Sequence, residues 1–295
     1  MALTKEIGMP SHQLAQIQFD ELDIIGYSVG GEETVVAVPQ LDVCFDIGKA
    51  PDQLIPINHV LLTHGHMDHA AGIAYYLSHR QFCGQSPGTI LAPANLLGPI
   101  GQIVEAWGKL DGSRIQANLV GVKPGDEFAV KPNLIARVFP TKHCFGSVGF
   151  CLIERRKKLR SEYAGLTGPQ IVELKKKGVT IDYPVELPLV TYLGDTNYVD
   201  FSSLEYIRDS RILIAECTFF IDEHLDRAEA GRHIHVDDFV RMVEPLRNEH
   251  IIITHVTQRT GLGEAQKILR AKLPPEQYGR IRFLMDRKWR KKEES

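Results

Sequence analysis

The sequence predicts an α/β (α+β) protein built from layers of sheet and helix, and three observations support that prediction. Short apolar runs rich in β-branched residues alternate along the chain with segments of helical pattern. Four of these runs end directly in ionisable residues, at positions 64–69, Asp195, Glu216 and His255. The chain has 295 residues, of which 43% are hydrophobic and 24% are charged, and this is enough to bury a substantial core.

The first half of the chain is predicted to open with an antiparallel sheet. Its strand-like runs are enriched in β-branched residues and are separated by glycine and proline turn signals. These runs cover residues 23–29, 34–38 and 43–48. Further strands are predicted at 59–63, 89–92, 116–122 and 127–139, the last interrupted by Lys131-Pro132, and helices at 72–82 and 96–109.

The second half alternates strands and helices around one long polar segment. Strands are predicted at 148–154, 189–193, 212–215, 251–253 and 281–285, and helices at 202–210, 238–246 and 263–273. Asp237 is a suitable N-cap for the second of these helices. Residues 155–187, approximately, form a polar and basic insertion, and since no repeat or linker interrupts the pattern, we predict one domain spanning 1–295.

Composition excludes several classes of protein. The 34 basic and 37 acidic residues give a net charge of -3, so binding to a polyanion would depend on local patches. No apolar run approaches the roughly 18 residues that a membrane span needs, and residues 1–6 lack the apolar core of a signal peptide. The five cysteines are odd in number and form no CxxC pair, which is typical of reduced thiols in a cytoplasmic protein.

The stretch His64-Gly65-His66-Met67-Asp68-His69 indicates a metal site. Imidazole is the commonest protein ligand for zinc, and a carboxylate adds a hard oxygen donor. The stretch lies between an apolar strand and a predicted helix, where a rigid scaffold aims several donors at one point. The alternative is a solvated polar loop that happens to be rich in histidine.

Three distant residues extend this site to two metal ions. The expected ligands are His64, His66 and His143 for one ion and Asp68, His69 and His255 for the other, with Asp195 bridging them. Asp68 would also accept a proton from metal-bound water. The alternatives are a turn-forming role for Asp195 and ordinary loop or strand-end positions for the two distant histidines.

This ordered set of residues resembles the metallo-β-lactamase superfamily. The resemblance covers roughly residues 24–285 and carries the motif His64-x-His66-x-Asp68-His69 followed by His143, Asp195 and His255. It implies a metallo-β-lactamase αββα four-layer sandwich that holds two divalent metal ions, expected to be zinc, at one edge of the paired sheets.

Within the superfamily the chain is most similar to ribonuclease Z (tRNase Z), a family of endonucleases that mature tRNA 3′ ends. The supporting segments are 143–154, 216–219, 254–259 and a Gly-Pro-containing arm at 165–178. The resemblance implies a glutamate–histidine pair that protonates the leaving group, with Glu216 as the glutamate. His235 fits the histidine best and His233 is the fallback. A helix-capping carboxylate and a surface histidine pair are the alternatives.

The resemblance is weaker where substrate recognition is expected. Contacts to RNA phosphates are expected from Lys142, Thr257 and Arg259, and the basic runs could contribute. Residues 46–51 keep only the Asp and Gly of the stretch usual in ribonuclease Z, and the arm is shorter than usual. We expect both differences to affect recognition and to leave the metal chemistry unchanged. The family also suggests a homodimer.

Two other functions remain open from the sequence. One is hydrolysis of a small or cyclic phosphodiester by the same metal site. The other is a catalytically silent metal-binding partner protein, although the complete ligand set with Asp68 argues against it. A flavin-fused member of the superfamily would need a further domain, for which the chain leaves no room.

Overall fold

Two seven-stranded sheets form the centre of the protein, seen in a computed structural model that describes residues 14–285. The stretch 1–6, the tail 287–295 and therefore both ends of the predicted 1–295 domain lie outside the described residues. The first sheet contains β1 (Ala15–Phe19), β2 (Leu22–Val29), β3 (Glu33–Val38), β4 (Val43–Phe45), β5 (His59–Leu61), β6 (Thr89–Pro93) and β7 (Asn118–Val122). The second contains β8 (Glu127–Lys131), β9 (Leu134–Pro140), β10 (Val148–Leu159), β11 (Asp182–Tyr192), β12 (Ile212–Glu216), β13 (His250–Thr254) and β14 (Ile281–Phe283).

The helices connect and cover these strands. They are α1 (Met67–Ala70), α2 (Ile73–Phe82), α3 (Leu97–Asp111), α4 (Gly168–Lys176), α5 (Glu205–Arg208), α6 (Leu225–Gly231), α7 (Val236–Val243), α8 (Leu262–Lys272) and α9 (Pro275–Gly279). Within the described range, no helix is both long and apolar enough to cross a bilayer.

Each sheet is antiparallel on one side and parallel on the other. In the first sheet β1 to β4 pair antiparallel, which confirms the predicted opening, and β4 to β7 pair parallel. In the second sheet β8 to β11 pair antiparallel and β11 to β14 parallel. The carboxyl ends of parallel strands share one edge of a sheet, so the residues that follow them are brought together.

Period-two alternation of apolar side chains produces the four layers. Val36 faces the core between the sheets, whereas its neighbour Val35 faces the core beneath α2 and α3. On the second sheet Ile214 faces the inner core, and Leu213 faces the outer core that α7 and α8 cover. Strands apolar on both faces fit a doubly covered sheet, and the arrangement is the αββα sandwich that the sequence predicted.

The polar insertion is more ordered than the sequence suggested. β10 and β11 continue as a two-stranded ribbon whose register reaches Leu159 opposite Asp182, and α4 lies between them in the chain. Ion pairs of Arg155 with Glu127 and Glu186 stand on this surface. The predicted strand ends at 154 and 189 were wrong because the strands continue through polar residues that lack the apolar pattern, with Arg155 paired opposite Glu186.

Helix boundaries near the site also differ from the prediction. α1 begins inside the histidine-rich stretch, with His66 as its N-cap. α7 begins at Val236 with His235 as its N-cap, so Asp237 lies in the first turn and is not the cap. The reason is that the His235 side chain accepts a hydrogen bond from the backbone N–H of Asp237, which is the role that the sequence assigned to an aspartate.

Candidate metal centre and active site

The site lies where strands of both sheets end. His64 follows β5, Asp195 follows β11, Glu216 ends β12 and His255 follows β13. Gly194 allows the close approach between the sheets: its φ is +63°, and a Cβ there would lie 2.8 Å from Cβ of Thr63. The four ionisable strand ends noted in the sequence therefore meet at one edge.

One group of donors contains three histidines and Asp195. Nε2 of His143 lies 3.1 Å from Nδ1 of His66 and 3.8 Å from Oδ2 of Asp195. Nε2 of His64 is also 3.8 Å from Oδ2 of Asp195. One donor atom from each residue lies within 4.8 Å of the others.

A second group contains Asp68, His69 and His255. Nε2 of His255 lies 3.4 Å from Oδ2 of Asp68 and 3.3 Å from Oδ2 of Asp195. Nε2 of His69 lies 3.2 Å from the same Asp195 oxygen. Oδ2 of Asp195 therefore lies within 3.2–3.8 Å of histidine nitrogens from both groups.

These separations fit a divalent metal site. Donor atoms on a tetrahedral zinc ion with bonds of about 2.1 Å lie about 3.4 Å from one another, close to the observed 3.1–3.8 Å. Nε2 of His64 and Nε2 of His69 are buried and have no hydrogen-bond partner among the described residues. Buried polar atoms are normally paired, so a metal ion would satisfy both nitrogens, at His69 in place of the proton that faces Asp195.

The pKa shifts of the buried donors also fit a site that binds cations. Burial disfavours charge on Asp195, yet His255 and His69 hold the pKa of that carboxyl well below its ordinary value. Burial likewise opposes protonation of His69, but Asp195 and Asp46 raise the pKa of its imidazole well above the usual range. For His64, burial, reinforced by His69, holds the pKa well below its ordinary value, and a neutral imidazole is the form that binds metal.

Asp46 orients His69 through a hydrogen bond, and we did not predict this role. Its buried carboxylate accepts hydrogen bonds from Nδ1 of His69 at 2.7 Å, from the Tyr192 hydroxyl at 2.8 Å and from Thr63 N at 2.8 Å. The bond to Nδ1 leaves Nε2 of His69 free for a metal ion. An acidic residue directly after an apolar strand was the available signal, since Asp46 follows β4 as the other site residues follow theirs.

The loop after Asp46 lies beneath the metal-binding segment. Backbone N–H groups of Ile47 and Gly48 donate to the carbonyl of His69 at 2.9 and 3.1 Å, and Gly72 N donates to the Gly48 carbonyl at 2.7 Å. We expected residues 46–51 to affect recognition and to leave the metal chemistry alone. The loop therefore holds the helix turn that carries Asp68 and His69 through its backbone, and the expectation that its sequence differences leave the metal chemistry unchanged stays a prediction.

Glu216 organises the other side of the site. It is fully buried, and its carboxylate accepts hydrogen bonds from Thr196 N at 2.7 Å, from Ile234 N at 3.2 Å and from the Thr218 hydroxyl. The Thr218 oxygen also lies 3.0 Å from Nδ1 of His255. Glu216 thus connects the strand end at β12, through Thr218, to His255 after β13, and it is more than a helix-capping carboxylate.

His233, and not His235, pairs with Glu216. Nδ1 of His233 lies 3.1 Å from Oε1 of Glu216 and 3.9 Å from Oδ2 of Asp195. Burial alone would lower the pKa of His233, but Glu216 and then Asp195 raise it to about 9. The imidazole is therefore protonated at neutral pH.

The expectation that His235 fits the pairing best was wrong. His235 caps α7 through Nδ1, and its Nε2 approaches only the exposed carboxylate of Asp222, at 4.0 Å. The hydrogen bond from Ile234 N to Glu216 brings the preceding residue, His233, against the carboxylate. His233, the fallback residue, therefore occupies the position beside Glu216.

The residues expected to contact RNA phosphates lie on the loops that carry ligands. Lys142 precedes His143, its side chain is exposed, and its backbone bonds Thr196 and Asn197. Thr257 is half-buried and bridges to the backbone of Gly30, and Arg259 is exposed. The prediction of substrate contacts by Lys142, Thr257 and Arg259 stays a prediction.

Comparisons with known proteins agree with this architecture. A family model described as a beta-lactamase superfamily domain matches residues 39–256. tRNase Z TRZ1 of Arabidopsis thaliana is 33% identical over 269 residues, covering 90% of this chain and 95% of that protein. The chloroplastic tRNase Z TRZ2 of the same organism is 29% identical, covering 85% of this chain and 72% of that protein.

Solved structures share the fold at low identity. The human tRNase Z short form has a TM-score of 0.52 and 17% identity, covering 89% of this chain and 88% of that one. The metallo-beta-lactamase fold protein YhfI from Bacillus subtilis has a TM-score of 0.57 and 15% identity, covering 83% and 90%. Given the family match, the relatives and a centre fit for divalent metal, the chain belongs to the ribonuclease Z (tRNase Z) family of the β-lactamase superfamily and is a metal-dependent hydrolase.

Proposed function

We propose that this protein is an endoribonuclease that cleaves precursor tRNA at its 3′ end with two zinc ions. The observation that supports it most is the convergence of two donor groups on Asp195, with the His233–Glu216 pair beside them. Relatives named tRNase Z extend over nearly the whole chain. In this proposal His64, His66, His143 and Asp195 hold one ion, and Asp68, His69, His255 and Asp195 hold the other.

Asp68 orients and deprotonates the attacking water. Bound divalent ions would lower the pKa of that water and neutralise charge on the phosphate. Oδ2 of Asp68 accepts the Gly31 N–H at 3.0 Å and faces Nε2 of His255 at 3.4 Å. Despite burial, His255 and His69 hold the pKa of Asp68 below its ordinary value, so the carboxylate is ionised and can serve as a ligand. Because a lowered pKa makes it a weak base, it would accept a proton only from water that bound ions have made more acidic.

His233 supplies the proton to the leaving oxygen. Breaking an RNA phosphodiester leaves an alkoxide, and a positioned acid lowers the barrier to its departure. The His233 imidazolium is held at Nδ1 by Glu216, which leaves Nε2 to donate the proton. Glu216 therefore positions His233 and keeps it charged.

The substrate is held outside the metal centre. Lys142, Thr257, Arg259 and the ribbon-and-helix insertion contact phosphates in this proposal, since sequence-independent affinity for RNA comes from basic groups. A cytoplasmic location is supported by the five free cysteines. The proposal includes a homodimer, which rests on the family resemblance alone.

A paired assay tests the proposal. Purified protein loaded with zinc or manganese is given a 3′-extended tRNA precursor and, separately, bis-p-nitrophenyl phosphate, with metal analysis of the same sample. We expect two ions per chain, cleavage of the diester, and a precursor product cut at the 3′ end of the tRNA. Cleavage of the diester alone would indicate a small-molecule phosphodiesterase. Two bound ions with no cleavage of either substrate would indicate a silent metal-binding protein.

A further inference from the structure

Two exposed apolar side chains stand beside the metal centre. Phe145 is 87% exposed and Met67 is 81% exposed. Phe145 lies two residues after His143, and Met67 directly follows His66. Because Nδ1 of His66 and Nε2 of His143 are 3.1 Å apart, the two segments lie next to each other at the metal centre.

Phe145 is displayed on a fixed turn. Ser147 N donates to the carbonyl of Cys144 at 3.1 Å, which closes the turn around Phe145. Gly146 has φ of +78°, and a Cβ there would lie 2.4 Å from Oδ1 of Asn95, so the turn is pressed against its neighbour. The backbone of such a turn is already fixed, and this reduces the entropy lost when a partner covers the side chain that the turn carries.

We infer that Phe145, flanked by Met67, stacks on a nucleobase next to the scissile phosphate of the RNA. The inference rests on the proposed function and adds a specificity determinant to it. Unpaired bases in RNA are recognised largely by stacking on aromatic side chains. A scissile phosphate at the metal centre would place the adjoining nucleotide near the turn that carries Phe145, two residues after His143. The exposed His66 and Lys142 nearby suit a polar, anionic ligand better than a purely apolar one.

The test compares variants on matched RNA substrates. One precursor keeps its natural bases, and two others carry an abasic nucleotide immediately before or after the cleavage site. Phe145→Ala should lower kcat/KM on the natural precursor about tenfold, mostly through KM. Phe145→Trp should retain the activity of the parent protein. The control is Phe82→Ala, since Phe82 is 88% exposed at the end of α2, and it should change neither parameter.

The abasic substrates identify what Phe145 contacts. On one of them the loss caused by Phe145→Ala should shrink to less than about twofold, with metal content unchanged throughout. An equal loss on all three substrates would overturn the inference, and so would full activity of Phe145→Ala on the natural precursor. A change of oligomeric state in light scattering, without a kinetic effect, would assign Phe145 to an interface between copies. Failure of the parent protein to cleave any precursor would instead overturn the proposed function.

Discussion

Asp46→Asn should lower the affinity of the second metal ion without disrupting the fold. Thr63 donates to Oδ1 of Asp46 through both N and Oγ1, at 2.8 and 2.9 Å. Oδ2 of Asp46 accepts hydrogen bonds from Nδ1 of His69 at 2.7 Å and from the Tyr192 hydroxyl at 2.8 Å. An asparagine would keep its oxygen towards the Thr63 backbone, so its amide nitrogen would face His69 and Tyr192.

The magnitude follows from the tautomer of His69. An amide N–H facing Nδ1 favours the tautomer that is protonated at Nε2, and this form cannot bind a metal ion through Nε2. Loss of such a supporting partner typically reduces metal affinity about 10–100-fold, or about 1.4–2.7 kcal/mol. The Tyr192 hydroxyl can rotate to accept from the amide, so we expect only about 1–3 kcal/mol of lost stability in the metal-free protein, from one mispaired buried group.

The assay is a competition titration of zinc against a chromophoric chelator, combined with thermal unfolding of the metal-free protein. Asp42→Asn is the matched control, because Asp42 precedes the other end of β4 and accepts from Asn58 N at 2.8 Å. The parent and control proteins should retain two ions at chelator concentrations that remove one from Asp46→Asn. Equal zinc affinity of all three proteins would refute the assigned role of Asp46.

Three further predictions address the assigned roles. His233→Gln should lower kcat on precursor RNA about 10²–10⁴-fold at unchanged metal content. His235→Gln should retain turnover and lose about 0.5–2 kcal/mol of stability, because it removes the cap of α7. Kinetics and thermal unfolding of both variants check this, and the reverse result would restore His235 as the acid. Asp68→Ala should abolish hydrolysis of both substrates and lower the metal content measured by elemental analysis; persistent diester cleavage would remove Asp68 from the chemistry. Replacing residues 160–181 with a short turn should impair precursor cleavage much more than diester cleavage, and equal losses would show that the insertion is structural.

The convergence of the candidate ligand side chains was predictable because its signals are local. Asp195 and His255 each end an apolar run, and parallel strands bring such ends together whatever their distance in sequence. The spacing of His64, His66 and His69 similarly places three imidazoles at a single strand–helix junction. The period-two patterns of the strands then gave the layer order, since both faces of the central strands are apolar.

Which of His233 and His235 pairs with Glu216 depends on tertiary contacts that the neighbouring sequence does not reveal. Two histidines separated by one residue are equally placed by pattern. The hydrogen bond of the Ile234 N–H to Glu216 and the start of α7 at Val236 decide between them. A histidine N-cap is uncommon, so the pattern favoured Asp237 as the cap and left His235 free for catalysis. The same lack of a local signal affected the insertion, whose two strands pair in register to Leu159 opposite Asp182 without an apolar alternation in their sequence.

The loop after Asp46 explains how recognition motifs can diverge while the chemistry is retained. The loop contacts the metal centre through two kinds of group. The carboxylate of Asp46 accepts from Nδ1 of His69, and the backbone N–H groups of Ile47 and Gly48 donate to the carbonyl of His69. Backbone donors are supplied by almost any residue, so the side chains beyond Gly48 can depart from the usual ribonuclease Z pattern without loss of this support. The departure at 49–51 therefore predicts an altered surface beside an intact metal centre, whereas a change at Asp46 itself would reach the metal through His69.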